Sequence, residues 1–175
     1  MMSNKLVLNN IKCSFLLSKD LSPGIKRGDI YIFPTNCVAT VYKSQPKLLN
    51  LTGIRNRKML KKVKKLIYSN FNVLYFKIDN YMMSRKRFEN YCMHKILNHL
   101  KLFYNEKYFC YYDYELLQTK GCYIQPRKKS KNNCSSLLIY RTGSCTVMMS
   151  SGNFKTNWNE CEKLLDDIFR PAFLK

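Results

Sequence analysis

The chain has 175 residues, 46% of them hydrophobic types and 14% aromatic, which is enough for a core of domain size and too apolar for intrinsic disorder. Thirty-one Lys and Arg against 11 Asp and Glu leave a formal charge of +20; such an excess draws polyanions, so nucleic acid is the first partner to expect. No apolar run reaches the ~18 residues of a membrane span, and the first ten residues lack the apolar stretch of a signal peptide. The charge has a second reading: 23 Lys, 17 Asn and 13 Tyr beside two Ala is what AT-rich codons produce.

In chain order, residues 8–15 are predicted as a first strand and 30–33 as a short second one. Residues 37–42 and 48–52 flank the turn 43–47 and predict a hairpin. Residues 55–68 read as an amphipathic helix, with Met59, Leu60, Val63, Leu66 and Ile67 at helical spacing. Its other positions carry Arg55, Arg57, Lys58, Lys61, Lys62, Lys64 and Lys65, and no acid. A strand is predicted over 71–76, a helix over 88–102 through Cys92, Ile96, Leu97 and Leu100, and a short strand over 121–124. Residues 136–140 and 145–149 flank the turn 141–144, a second hairpin. A last helix, 157–169, buries Trp158, Cys161, Leu164, Leu165, Ile168 and Phe169, presents Glu160, Glu162, Asp166 and Asp167, and is stopped by Pro171.

Strand, short strand, hairpin and helix thus occur twice, which predicts one domain over 1–175 made of repeats 8–70 and 71–175. The copies are unequal: Asn10 to Asn72 is an offset of 62, whereas Tyr42 to Tyr140 is 98. The extra length holds the 88–102 helix, whose counterpart in the first repeat is absent or minimal. The eight cysteines form no CxxC pair, and only His94 and His99 are available as imidazoles. Free thiols in a reducing compartment are expected, with no metal and no cofactor. No nucleophile elbow, P-loop or dinucleotide fingerprint is present, so no enzymatic activity is expected.

The repeat resembles the TATA-box-binding protein (TBP) family, whose hairpin motif reads like LIFxSGKxVxTGAK. Leu137-Leu138-Ile139-Tyr140-Arg141-Thr142-Gly143-Ser144-Cys145-Thr146-Val147 is similar to it without a gap. Thr40-Val41-Tyr42-Lys43-Ser44 and Lys47-Leu48-Leu49-Asn50-Leu51-Thr52-Gly53-Ile54 are similar with a longer turn. The family's opening QNIV is similar to Asn9-Asn10-Ile11-Lys12 and to Phe71-Asn72-Val73-Leu74. The resemblance implies an α+β fold: a TBP-like saddle whose two pseudo-symmetric repeats form a curved antiparallel sheet with helices on the convex face.

It also implies a function. A broad twisted sheet lies on an opened minor groove, where base edges offer mostly acceptors and distinguish A·T from G·C. The central Asn pair of the family would be Asn10 and Asn72. Of the family's four wedge phenylalanines, the hairpin pair becomes Tyr42 and Tyr140, one falls near Gly28 and is lost, and one becomes Leu117. The groove-facing Thr of the first half matches Thr52; its counterpart aligns with Met148. Strong bending of DNA by this chain alone therefore does not follow from the resemblance. Arg127, Lys128, Lys129 and Lys131 sit where the second stirrup would be, as a phosphate clamp or as a solvated loop.

The implied partners are double-stranded DNA, a IIB-like factor and a multisubunit RNA polymerase, with room for a further transcription factor. Arg55, Lys58, Lys61, Lys62 and Lys65 on one helix, and Glu160, Glu162 and Asp166 on the other, are the candidate partner surfaces. The composition and eroded wedges point to a fast-evolving lineage such as a large DNA virus or a reduced eukaryote, hence to the nucleus or a viral factory. The rival reading is a TBP-fold protein–protein module without autonomous DNA bending. A·T preference in a purified-protein shift assay separates the two.

Overall fold

The computed structural model describes residues 5–21, 37–112, 121–127, 134–150 and 154–175; the strand expected at 30–33 lies outside them. Among the described residues the order is β1 (Val7–Leu17), β2 (Val38–Tyr42), β3 (Gln45–Ile54), α1 (Arg57–Asn70), β4 (Val73–Arg85), α2 (Met93–Phe103), β5 (Tyr108–Tyr112), β6 (Gly121–Pro126), β7 (Cys134–Tyr140), β8 (Cys145–Ser150) and α3 (Phe154–Ile168). A 3-10 turn, Pro171–Phe173, follows. The hydrogen-bonded strand order is β2-β3-β1-β4-β8-β7-β6-β5. It mirrors itself: outward from β1 come β3 and β2, and outward from β4 come β8 and β7. The hairpins are antiparallel, as are the pairs β1–β3, β5–β6 and β6–β7. The class is α+β with an open antiparallel sheet. By contacts the chain divides into two units, Leu8–Tyr81 and one built on Met82–Lys175, so β4 runs from one into the other.

In the first unit strand alternation buries one face: Ile11, Cys13, Phe15 and Leu17 on β1, Ala39 and Val41 on β2, Leu49, Leu51 and Ile54 on β3. α1 packs against β3 and covers this face with Val63 and Ile67. Its start is fixed by Asn56, whose Oδ1 accepts the Met59 N–H at 2.8 Å. Leu60 and Met59, expected in the core stripe, are only half-buried, and Leu66 is exposed. The helix touches the sheet along a line narrower than its apolar arc. Tyr68 and Phe76 flank Phe15, and Lys64 lies 4.2 Å over the Phe76 ring, a cation–π contact that also covers apolar surface.

The second unit repeats the plan. Cys122, Ile124, Leu137, Ile139, Cys145, Val147 and Met149 are buried beneath α3, which contributes Cys161, Leu164, Leu165 and Ile168. α3 starts before residue 157, and Asn157 is drawn wholly into the core with neither amide atom hydrogen-bonded. α2 starts after residue 88, because the preceding segment is spent on the β7–β8 turn: Tyr91 N–H donates to the Arg141 carbonyl at 2.8 Å and Glu89 N–H to that of Thr142 at 3.2 Å. Burial pushes the Cys13 and Cys122 thiols up to about 12 and Cys145 to about 11, so all three stay protonated and unreactive at neutral pH.

α2 and α3 are joined through Asp167. Its Oδ2 lies 2.6 Å from His99 Nε2 and accepts the Tyr104 hydroxyl at 2.8 Å, while Arg170 pairs with Oδ1. Burial and the Arg170 charge hold the His99 imidazole below its ordinary range, since Arg170 already neutralises the carboxylate beside it. Two predictions follow from this packing. Ile67→Ala and Leu165→Ala should each cost ~2–5 kcal/mol in urea unfolding, and Leu60→Ala clearly less. A histidine depressed on folding takes up its proton more readily when unfolded, so its contribution is present above ~6.5 and lost as pH falls below it. The drop in melting temperature between pH 7.5 and 5, set by a comparison of wild type with His99→Gln, should be smaller in the variant.

Candidate nucleic-acid interface

The side chains that alternate with the buried ones form an open sheet face in each unit. In the first unit Thr40, Asn50 and Ser14 pair in one row across β2, β3 and β1, and Val38 pairs with Thr52 in the next. β3 carries a bulge: Ile11 faces Ile54 but Cys13 faces Leu51, so Thr52 and Gly53 together oppose Lys12. Gly53 takes φ +86°, a conformation that favours glycine. Its N–H donates to Asn10 Oδ1 at 2.7 Å. Asn10 thus locks the bulge with its carbonyl oxygen and keeps its amide Nδ2 as a donor.

The residue expected to partner Asn10 is Asn72. Asn72 precedes β4, is exposed, and its carbonyl accepts the Ser18 N–H at 3.0 Å. The buried run that follows Asn10, at positions 11, 13 and 15, recurs at Tyr81, Met83 and Arg85. At that offset of 70, the burial pattern aligns Asn80 on β4 with Asn10 on β1. The signal that pointed to it is the tripeptide Asp79-Asn80-Tyr81 set against Asn9-Asn10-Ile11. Beside it Ser14 Oγ donates to Asp79 Oδ2, which lies 4.0 Å from Lys77 Nζ.

The two hairpin tyrosines differ. Tyr42 ends β2 with 54% of its surface exposed. Tyr140 is half-buried and pairs with Gly121, where an added Cβ would fall 3.3 Å from its ring and 2.9 Å from the Ile139 carbonyl. Tyr140 therefore leans on the sheet over a glycine that has no side chain to keep it off. Met148 lies on the open face opposite Ser136. Arg127 follows β6; its guanidinium bonds both the Asn105 backbone and, at 2.6 Å, Oδ1, and it stands 5.7 Å from the Phe109 ring centroid. Leu117, Lys128, Lys129 and Lys131 lie outside the described residues.

No family model matches the sequence, and no curated protein matches it. Among solved structures, the TBP of Methanococcus jannaschii superposes with a TM-score of 0.51 at 14% identity, over 94% of this chain and 98% of that one. The chain has a TBP-like fold. An open antiparallel sheet with helices in an α+β fold is what the sequence resemblance implied.

The outer helices of this TBP-like fold carry opposite charge to unequal effect. Lys58, Lys61, Lys62 and Lys65 on α1, and Arg55 just before it, are all exposed. On α3 Glu160 is exposed and Glu162 half-buried, but Asp166 is engaged: it accepts from Arg85 Nη1 at 3.0 Å. Arg85 is 2% exposed, and Nε and Nη2 have no partner. Asp166 thus offsets a buried cation while its own side chain stays exposed. Asp166→Ala should cost ~1.5–3 kcal/mol by strand-and-helix unfolding in denaturant, whereas Glu160→Ala, with no such cation beneath it, should be nearly neutral.

Proposed function

We propose that this chain is a TBP-like transcription initiation factor that binds A·T-rich promoter DNA through the minor groove. Asn10 and Asn80 carry the reading: two amide side chains at equivalent positions of neighbouring strands β1 and β4. Amide donors suit a groove floor whose A·T pairs offer only the N3 and O2 acceptors, and the guanine amino group disfavours them. Thr52 and Tyr42 extend the contact on the first unit, with Tyr140 and Leu117 on the second. Lys128, Lys129 and Lys131 add charge, and Arg127 does so only after leaving Asn105. A IIB-like factor and an RNA polymerase assemble on the flanks, with the basic face of α1 meeting an acidic surface or flanking DNA, and Glu160 and Glu162 of α3 choosing a different partner. Opposite charge on equivalent helices fixes the direction of assembly, because mispaired like charges cost several kcal/mol.

The test is a gel-shift comparison of A·T-rich and G·C-rich duplexes with the purified full chain. Preference for A·T, steep weakening with salt from counterion release, and loss of the preference in Asn10→Ala and Asn80→Ala but not Asn72→Ala are the expected results. Reversing Lys58, Lys61, Lys62 and Lys65 to Glu should impair assembly with the cognate polymerase while sparing A·T preference. Absence of duplex binding, with partner assembly intact, would overturn the reading in favour of a protein–protein module.

A further inference from the structure

The outermost strands of the second unit carry aromatic residues that the duplex reading does not use. β5 is the last strand of the sheet order, and its pairing with β6 sets Phe109 opposite Gln125 and Tyr111 opposite Tyr123. Cys110 between them pairs with the buried Ile124, so Phe109 and Tyr111 stand on the open face, 51% and 52% exposed. Tyr123 continues the row to Leu138 and Thr146. Tyr123 is half-buried, and the Ser136 and Gln125 side chains beside it hold its hydroxyl below the ordinary tyrosine range. Three aromatic residues thus occupy neighbouring open-face positions, set by the ~5 Å between strands and the ~7 Å between alternate residues of one strand.

A basic rim borders these rings. Arg127 N–H donates to the Lys107 carbonyl at 2.9 Å, which brings both cations to the same end of β5 and β6, and the Arg127 guanidinium covers Phe109. The described open-face positions of β5 to β8 are Phe109, Tyr111, Tyr123, Gln125, Ser136, Leu138, Tyr140, Thr146 and Met148, and none is an acid. Exposed ring faces, spaced one per strand position beside cations and without acids, match a polyanion that offers flat apolar faces of its own. A duplex hides those faces in its stack and shows only base edges in its grooves. A single strand presents them.

We infer that the open face of β5 and β6 is a stacking site for unpaired bases of single-stranded nucleic acid, with Tyr111, Tyr123 and Phe109 as the platform and Lys107 and Arg127 meeting the phosphates. The three rings belong to no part of the proposed duplex contact, with which the site shares only Arg127, so the ring and amide variants test the two separately.

The experiment uses the full chain and fluorescence anisotropy with three labelled probes: oligo-dT, oligo-U and an A·T-rich duplex. Tyr111→Ala, Tyr123→Ala and Phe109→Ala should each weaken single-strand binding roughly five- to hundred-fold, the range expected for one base-stacking ring. Tyr111→Phe and Tyr123→Phe keep the ring and should bind nearly as wild type, which a hydroxyl-mediated role would not allow. Duplex affinity should be little changed by these variants and reduced by Asn80→Ala, which in turn should leave single-strand binding intact. Tighter oligo-dT assigns the site to melted DNA, and tighter oligo-U to RNA; both support it. Single-strand affinity unchanged in the three alanine variants would overturn the inference. Parallel loss of duplex and single-strand binding would also overturn it, by assigning the rings to duplex contacts, and would leave the Asn10 and Asn80 reading standing. Duplex binding absent with ring-dependent single-strand binding present would do the reverse.

Discussion

Among the described residues, side chains reach the open face of the sheet because their neighbours in the strand are buried. The period of two along a strand is the constraint on which the rest depends: Ile11, Cys13 and Phe15 face α1, so Lys12 and Ser14 face away; Leu137 and Ile139 face α3, so Leu138 and Tyr140 face away. A slip by one residue would bury Lys12 and expose Phe15. The hydrophobic cost of that exchange, ~1.5–3 kcal/mol for each large side chain, is what holds the register. The pairing of β1 with β3 is interrupted by the bulge at Thr52 and Gly53, and Asn10 closes it by accepting the Gly53 N–H. A residue of the proposed groove contact therefore also has a structural task, and Asn10→Asp, which keeps the acceptor but loses the donors, is the substitution that separates the two roles.

Much of the fold was legible because hairpins and amphipathic helices are local. The turns at 43–47 and 141–144, the apolar spacing of Val63 and Ile67, and the stripe Cys161, Leu164, Leu165 and Ile168 need no knowledge of distant residues. The counterpart of Asn10 was not local. A strand predicted over 71–76 drew the motif match to Asn72, whereas β4 extends to Arg85. What hid the later part of β4 is Arg85 itself, a cation at a core position of the alternating pattern. Its burial depends on Asp166, 81 residues away, and no window of sequence contains both.

The same pairing explains why α3 presents less acid than its sequence indicates. Of four acids, Asp166 answers Arg85 and Asp167 answers His99, Tyr104 and Arg170. Helical periodicity places a side chain on a face, but it does not say whether a cation from another strand has already claimed it. α1 carries no acid, and Lys58, Lys61, Lys62 and Lys65 on it are exposed, while Lys64 lies over Phe76. The two helices are equivalent in the repeat and unequal in what they leave for a partner.

The charge and the contact surfaces are therefore in different places. α1 holds a dense block of cations, whereas the open face of the second unit has aromatic and small polar residues with Arg127 and Lys107 at one end. Charge acts over roughly a Debye length, ~8 Å at physiological ionic strength, and raises the rate of encounter with any nucleic acid regardless of sequence. Amide donors and ring faces act only at contact, and they distinguish A·T from G·C or paired from unpaired bases. Salt should then weaken all nucleic-acid binding together, while substitutions at Asn10, Asn80, Tyr111 and Tyr123 change which nucleic acid is preferred. A protein whose surplus of lysine came only from codon bias would share the first property and lack the second.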